Sequence, residues 1–239
     1  LDLRGRTDAV DDLELALEPE PSCCLETVAE TIRFFKRHLF SQTAQKILSA
    51  ETGMSAQGSR EFIRRHLGVC FDACHMAVEF EDPRTALKAL QTAGIRVIKL
   101  QLSSGLRVMF AADSKKVAAA LAPFAEEVYL HQVVERTPRG LTRYLDLPDA
   151  LQARSLNART PREWRIHFHV PLYHRRLGSL GTTQDYVGEL LDATMANSPC
   201  RHWEVETYSW GVLPGSGKRR GVVDSIADEL RWVLRRVKL

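Results

Sequence analysis

Asp72 and His75 close the stretch Gly68-Val-Cys-Phe-Asp-Ala-Cys-His75. An apolar β-type run delivers a carboxylate and, three residues later, an imidazole, which predicts both at the mouth of a sheet, where α/β folds keep their chemistry. Three similar strand ends, Leu15-Ala-Leu-Glu18, Ile166-His-Phe-His169 and Glu204-Val-Glu206, also finish in metal-competent side chains. Carboxylate and imidazole together suit zinc, manganese or iron far better than calcium. Glutamates beside such an ion are also the groups that general acid and base catalysis uses.

Taken singly, each residue also has a plain reading. Glu18 precedes Pro19-Glu20-Pro21, whose prolines cannot continue a paired strand, and alone it reads as a solvated loop glutamate. Asp72 and His75 read equally well as a core histidine bonded to its neighbour. His167 and His169 are two apart on a β run and so share a face. Either can ligate metal or bind substrate, and two histidines on one face of an apolar strand need polar partners that a plain core does not supply. Glu204 and Glu206 share a face as well, with Glu206 nearer the strand's C-terminal end, although a wet edge strand would look the same. Gln101 ends Val97-Ile-Lys-Leu-Gln101 and reads as an amide for substrate or for supporting a ligand. Gly215-Ser-Gly-Lys218 is not a phosphate loop, since its spacing from Gly211 is one too long and Arg219 replaces the required Ser or Thr. Cys70 and Cys74 have no second cysteine pair behind them, so a zinc-thiolate site is not expected.

Short apolar runs alternate with amphipathic stretches, the signature of βα units. Strands are predicted at 13–18, 68–72, 95–102, 165–170 and 203–208. Val28, Ile32, Phe35 and Leu39 mark a helix by their spacing. Asp82-Pro83 opens another that stops at Gly94. Two more are predicted over 183–196 and 222–237. If the strands are parallel, their C-terminal ends share one rim and the residues there converge. The segment 123–162 breaks the rhythm and reads as an inserted loop or hairpin within a single domain spanning 1–239.

At 239 residues and 44% hydrophobic, the chain can bury a substantial core as one domain. Its net charge of +3, from 33 basic and 30 acidic residues interleaved along the chain, argues against nucleic acid as a partner. No apolar run approaches the roughly 20 residues that span a bilayer, and no signal pattern is visible, so a cytoplasmic location is the default. Five cysteines, two of them adjacent, do not suggest a disulfide framework. The chain opens on Leu1-Asp-Leu-Arg rather than methionine, which is what a piece of a longer protein would show.

Asp72-Ala-Cys-His75-Met-Ala-Val-Glu79 resembles the D-T-x-H segment of the xylose-isomerase-like TIM-barrel superfamily, which includes sugar isomerases and epimerases and endonuclease IV. Leu17-Glu18-Pro19 resembles its glutamate-bearing strand and Glu204-Val-Glu206 its closing one. Within that group, Ala16-Leu-Glu-Pro-Glu-Pro21, Phe71 to Pro83, His167-Phe-His-Val-Pro171 and Glu204-Val-Glu-Thr-Tyr208 resemble the family called metabolite traffic protein EboE, over nearly the whole chain. The resemblance implies an α/β chain forming the C-terminal part of a barrel, about strands five to eight of the eight that closure needs. Gln101 stands where many members carry histidine, which favours one metal over three.

The resemblance further implies a divalent-metal-dependent isomerase or epimerase acting on a small polyhydroxylated metabolite through an enediolate. Glu18 and Glu206 would be the two bases, and Asp72, His75 and His169 would complete a metal shell that includes both glutamates. His167, Gln101 and Arg175 would contact substrate, with Arg175 suited to an anionic group. Two alternatives stay open: an EboE-like protein that binds a precursor for export without turnover, and a metal-dependent phosphoester hydrolase. An incomplete barrel would expose edges and apolar faces, so the isolated chain is expected to be marginal in stability or to form a homo-oligomer.

Overall fold

The computed structural model describes residues 13–110, 114–153, 161–197, 200–206, 208–215 and 221–237. In chain order its elements are β1 (Leu15–Leu17), α1 (Val28–Phe34, continued by a π-helical turn over Phe35–Leu39), α2 (Gln42–Thr52), α3 (Ala56–His66), β2 (Leu67–Asp72), α4 (Ala73–Val78) and α5 (Pro83–Thr92). There follow β3 (Arg96–Leu102), β4 (Ser104–Phe110), α6 (Ser114–Leu121), β5 (Val133–Thr137), β6 (Gly140–Tyr144), α7 (Leu147–Gln152) and β7 (Arg162–Val170). The last are β8 (Arg176–Leu177), β9 (Leu180–Thr182), α8 (Gln184–Asn197), β10 (His202–Val205) and α9 (Val222–Val237).

Local chemistry sets several boundaries. Thr27 and Glu30 form a capping box at α1, with Thr27 N donating to Glu30 Oε2 at 3.0 Å and Glu30 N to Thr27 Oγ1 at 3.3 Å. Asp82 caps α5 by accepting from Thr85 N at 2.8 Å, with Pro83 in the first turn and Gly94 at φ +71° beyond the end. Hydrogen bonding by the Thr85 side chain, then by its backbone N–H, also holds the Asp82 carboxyl below its ordinary value. Asp82→Ala is expected to cost about 1 kcal/mol, read as a lower urea midpoint at unchanged slope.

The chain is α/β, and its strands divide between two sheets. One is parallel, in the order β1-β2-β3-β10, with Asp72 beside Gln101 and Gln101 beside Glu204 in register. The other is antiparallel, in the order β6-β5-β7-β4-β9-β8. The strand at 165–170 was expected among the parallel βα units, and here the structure differs: β7 runs antiparallel to both β4 and β5. The cause is the connection after β3. A single residue, Ser103, separates β3 from β4, too short for a helical crossover, so the chain turns into a new sheet instead of returning to the old one. The hairpin expected within 123–162 is present as β5 and β6, and through β5 it forms part of this second sheet. The strands close no barrel among the described residues.

Each sheet has its own core. Val69, Phe71, Leu100, Leu190 and Val233 pack the parallel sheet against its helices. Trp164, Phe168, Leu121, Phe124 and Leu147 fill the other. Between the sheets lies α4, whose six residues are all buried. Gly105 lets β4 approach it closely, since a Cβ there would stand 2.9 Å from Ile166 O and 3.0 Å from Cys74 Sγ. Because Val170 at the end of β7 faces Ser104 at the start of β4, the C-terminal end of β7 arrives at the rim of the parallel sheet after all.

Candidate metal centre

Asp72 holds the centre in place. It is the last residue of β2 and the N-cap of α4, so its Oδ1 accepts from His75 N at 2.7 Å while Oδ2 accepts from Ser103 Oγ at 2.7 Å. The D-x-x-H spacing is therefore a helix cap, and capping brings the carboxylate and the histidine of the third helical residue to one place. Asp72 is fully buried. Burial works to raise its carboxyl, and the His75 and His169 rings with these two hydrogen bonds outweigh it, holding the group below its ordinary value.

Three imidazoles meet beside it. His75 Nε2 lies 3.1 Å from His167 Nε2, which lies 3.3 Å from His169 Nε2 and 3.4 Å from the Tyr208 hydroxyl. The outer nitrogens fix the tautomers. His75 Nδ1 is 3.0 Å from Pro19 O, an acceptor only, and must donate its proton there. His167 Nδ1 lies 2.7 Å from Gln132 Oε1 and donates to it. With those protons donated outward, the two Nε2 atoms meet across 3.1 Å, a contact that calls for a shared proton or a cation between them. Burial, then the charges of neighbouring histidines, push His167 well below its ordinary value. Burial lowers His169 to about 4, against the pull of Asp72. A shared proton or a metal cation between the rings meets that need.

Carboxylates complete the cluster. Glu18, just past β1, brings Oε1 to 3.6 Å from His75 Nδ1, and burial raises its carboxyl. Glu206, just past β10, accepts from Gln101 Nε2 at 2.5 Å and approaches His169 Nδ1 to 3.9 Å. Burial first, then the Asp72 and Glu18 charges, push Glu206 up to about 7. His169 Nδ1 is buried and makes no hydrogen bond among the described residues. Four triads bring ligand atoms within 4.8 Å of one another: Asp72, His75 and His169; Glu18, Asp72 and Glu206; Glu20, His75 and His167; Cys74, His167 and His169. These residues fit a divalent cation by donor type, burial and mutual distance.

Glu18, Asp72, His75, His169 and Glu206 are thus brought together, with His167 and Gln101 among them. Arg175 is exposed beyond His174 and is joined to the cluster by none of these contacts among the described residues. Glu20, Cys74, Gln132 and Tyr208 were not anticipated. Cys74 is a buried neighbour of His167 and His169 rather than half of a thiolate pair, and burial keeps its thiol well above the ordinary value. Its sign in the sequence is its place between Asp72 and His75; nothing comparable marks Gln132. A groove of about 290 Å³ lined by Met109, Arg136, Thr137, Pro138, Pro161, Arg162 and Glu163 lies on the antiparallel sheet and includes none of these residues. No helix among the described residues is long and apolar enough to cross a membrane. No family model matches the chain, and no curated protein or solved structure matches it.

Proposed function

We propose that this chain is a divalent-metal-dependent isomerase or epimerase acting on a small polyhydroxylated metabolite, on a portion of a xylose-isomerase-like TIM barrel. The observation that carries the metal is the pair of triads sharing the buried Asp72, one with His75 and His169 and one with Glu18 and Glu206, each bringing its ligand atoms within 4.8 Å of one another. The parallel sheet supports the fold assignment, because its four adjacent strands bring Glu18, Asp72, Gln101 and Glu206 to one rim in spatial order.

Asp72, His75 and His169 would hold the ion with Glu18 and Glu206. Zinc, manganese or iron would suit this set, and when bound such an ion polarises substrate oxygens. The protein's own part is proton transfer. Glu206, steadied by the Gln101 amide, takes a proton from carbon and returns it. Glu18, less buried and on the opposite flank of the parallel sheet, serves as the second carboxylate.

The test is exchange of carbon-bound hydrogen in D2O, followed by NMR over a panel of ketoses and aldoses with metal-loaded protein. Exchange should fall as pH drops and the carboxylate that transfers the proton becomes protonated. Glu206→Gln should lower it by about 10²- to 10⁴-fold and remove that limb of the profile. Saturable sugar binding with no exchange at any pH would refute the enzyme reading and leave binding without turnover.

A further inference from the structure

The loop between α6 and β5 turns apolar side chains to solvent beside the candidate centre. Val128, Tyr129 and Leu130 are consecutive and are exposed to 68%, 38% and 52%. The turn that carries them is tied down, because the Glu126 carboxylate accepts from Val128 N at 2.6 Å and from Tyr129 N at 3.3 Å and lies 2.8 Å from Nε2 of the buried His131. His131 is fastened in its turn: its backbone N donates to Asp146 Oδ1 at 2.9 Å, and its Nδ1 lies 3.1 Å from His167 O. The exposure of the three side chains therefore belongs to an ordered turn.

Ring contacts join this surface to the histidines. The Tyr129 ring meets that of Tyr208 edge-on with centroids 4.9 Å apart, and the Tyr208 ring stands 4.4 Å from that of His169 with its hydroxyl 3.4 Å from His167 Nε2. Tyr208 thus sets its polar tip on the centre and its apolar ring toward the loop. Scattered exposed apolar residues need no explanation, but three in succession on a fixed turn, continuous with a cluster of polar ligands, have the pattern of a ligand-binding surface. A sugar ring stacking its C–H face on one tyrosine would have no use for the valine and leucine on either side.

We infer that Val128, Tyr129, Leu130 and Tyr208 form a subsite for an apolar substituent, so that the polyhydroxylated substrate carries an alkyl or aryl group, an inference that rests on the reading of the centre as a polyol site. The hydroxylated head reaches the carboxylates and histidines, and the substituent lies along Tyr208 and Tyr129 toward the loop.

The probe is a series of alkane-1,2-diols from butane to octane, whose vicinal hydroxyls stand for the polyol head, titrated into the zinc-loaded full chain by calorimetry. The association constant should rise by about threefold to fourfold for each methylene that enters the subsite. Val128→Ser combined with Leu130→Ser, and separately Tyr129→Ala, should flatten that rise, while Tyr129→Phe should keep it. All three positions are exposed, so these substitutions leave both cores intact. Equal affinity along the series overturns the inference, and so does a rise that survives in the serine and alanine variants. Adhesion to phosphatidylcholine vesicles without any rise along the diols overturns it in favour of membrane docking. Calorimetry reads binding alone, so a rise with diol length in a protein that exchanges no carbon-bound hydrogen refutes the isomerase and leaves the subsite standing. Exchange on sugars with no such rise does the opposite.

Discussion

His75→Ala and Asp72→Asn are each expected to strip the protein of bound metal when it is purified in the presence of zinc, manganese or iron and assayed by elemental analysis. Asn caps a helix as well as Asp does, so Asp72→Asn should keep the start of α4 while removing the one carboxylate that is fully buried and held ionised among the histidines. It thereby separates the residue's part in folding from its part at the centre. His75→Ala removes the imidazole whose Nε2 faces His167. A supporting group around a metal site is typically worth 10- to 100-fold in affinity, and a ligand is worth more. His174→Ala is the control, since His174 lies just past β7 with its ring against Tyr173 and belongs to none of the four triads. Equal metal in all three variants would count decisively against the centre described here.

The second large effect concerns Glu229, which is fully buried on α9. One carboxylate oxygen accepts from Leu172 N at 2.9 Å and the other makes no hydrogen bond among the described residues. Burial pushes the group up to about 8, with the Leu172 hydrogen bond pulling back. In the unfolded chain it ionises near its ordinary value of 4.5. Between those two values the unfolded state releases a proton that the folded state keeps, so the Glu229 contribution to stability is present at low pH and is lost as pH rises toward 8, by on the order of a few kcal/mol. Glu18 and Glu206 are shifted the same way and Asp72 the opposite way, so total stability mixes all four. The difference between wild type and Glu229→Gln isolates the one. Glutamine keeps the acceptor for Leu172 and carries no titrating group. Urea denaturation at pH 5 and pH 9 should find the variant gaining on the wild type by that margin at the higher pH; a constant difference would show that Glu229 ionises normally in the folded protein.

Much of the centre was readable because alternation and capping are local. His167 and His169 share a face by strand geometry whatever the strand's neighbours are, and the spacing of Asp72 and His75 is a cap written in four residues. The direction of β7 was not readable for a matching reason. A strand buried on both faces has the same residue pattern in a parallel or an antiparallel sheet, and the choice was made by the absence of a helix after Ser103. Helices α2 and α3 carry local signals of the same kind: Ser41 and Ser55 accept from Ala44 N and Gly58 N, and Gly53 ends α2 at φ +73°. Gln132 reaches His167 from the residue just before the hairpin strand β5, and no spacing along the chain encodes a contact across that distance.

Ser103 does more than turn the chain from one sheet to the other. Its hydroxyl donates to Asp72 Oδ2 and accepts from Cys74 N at 3.1 Å, so the joint between the sheets and the carboxylate at the centre are the same piece of structure. Any core substitution that tilts β4 against β2 must first displace this hydroxyl, and with it the Asp72 oxygen. With Asp72 as a ligand of the proposed ion, repacking in either half that shifts this seam should register in ion affinity as well as in the melting temperature.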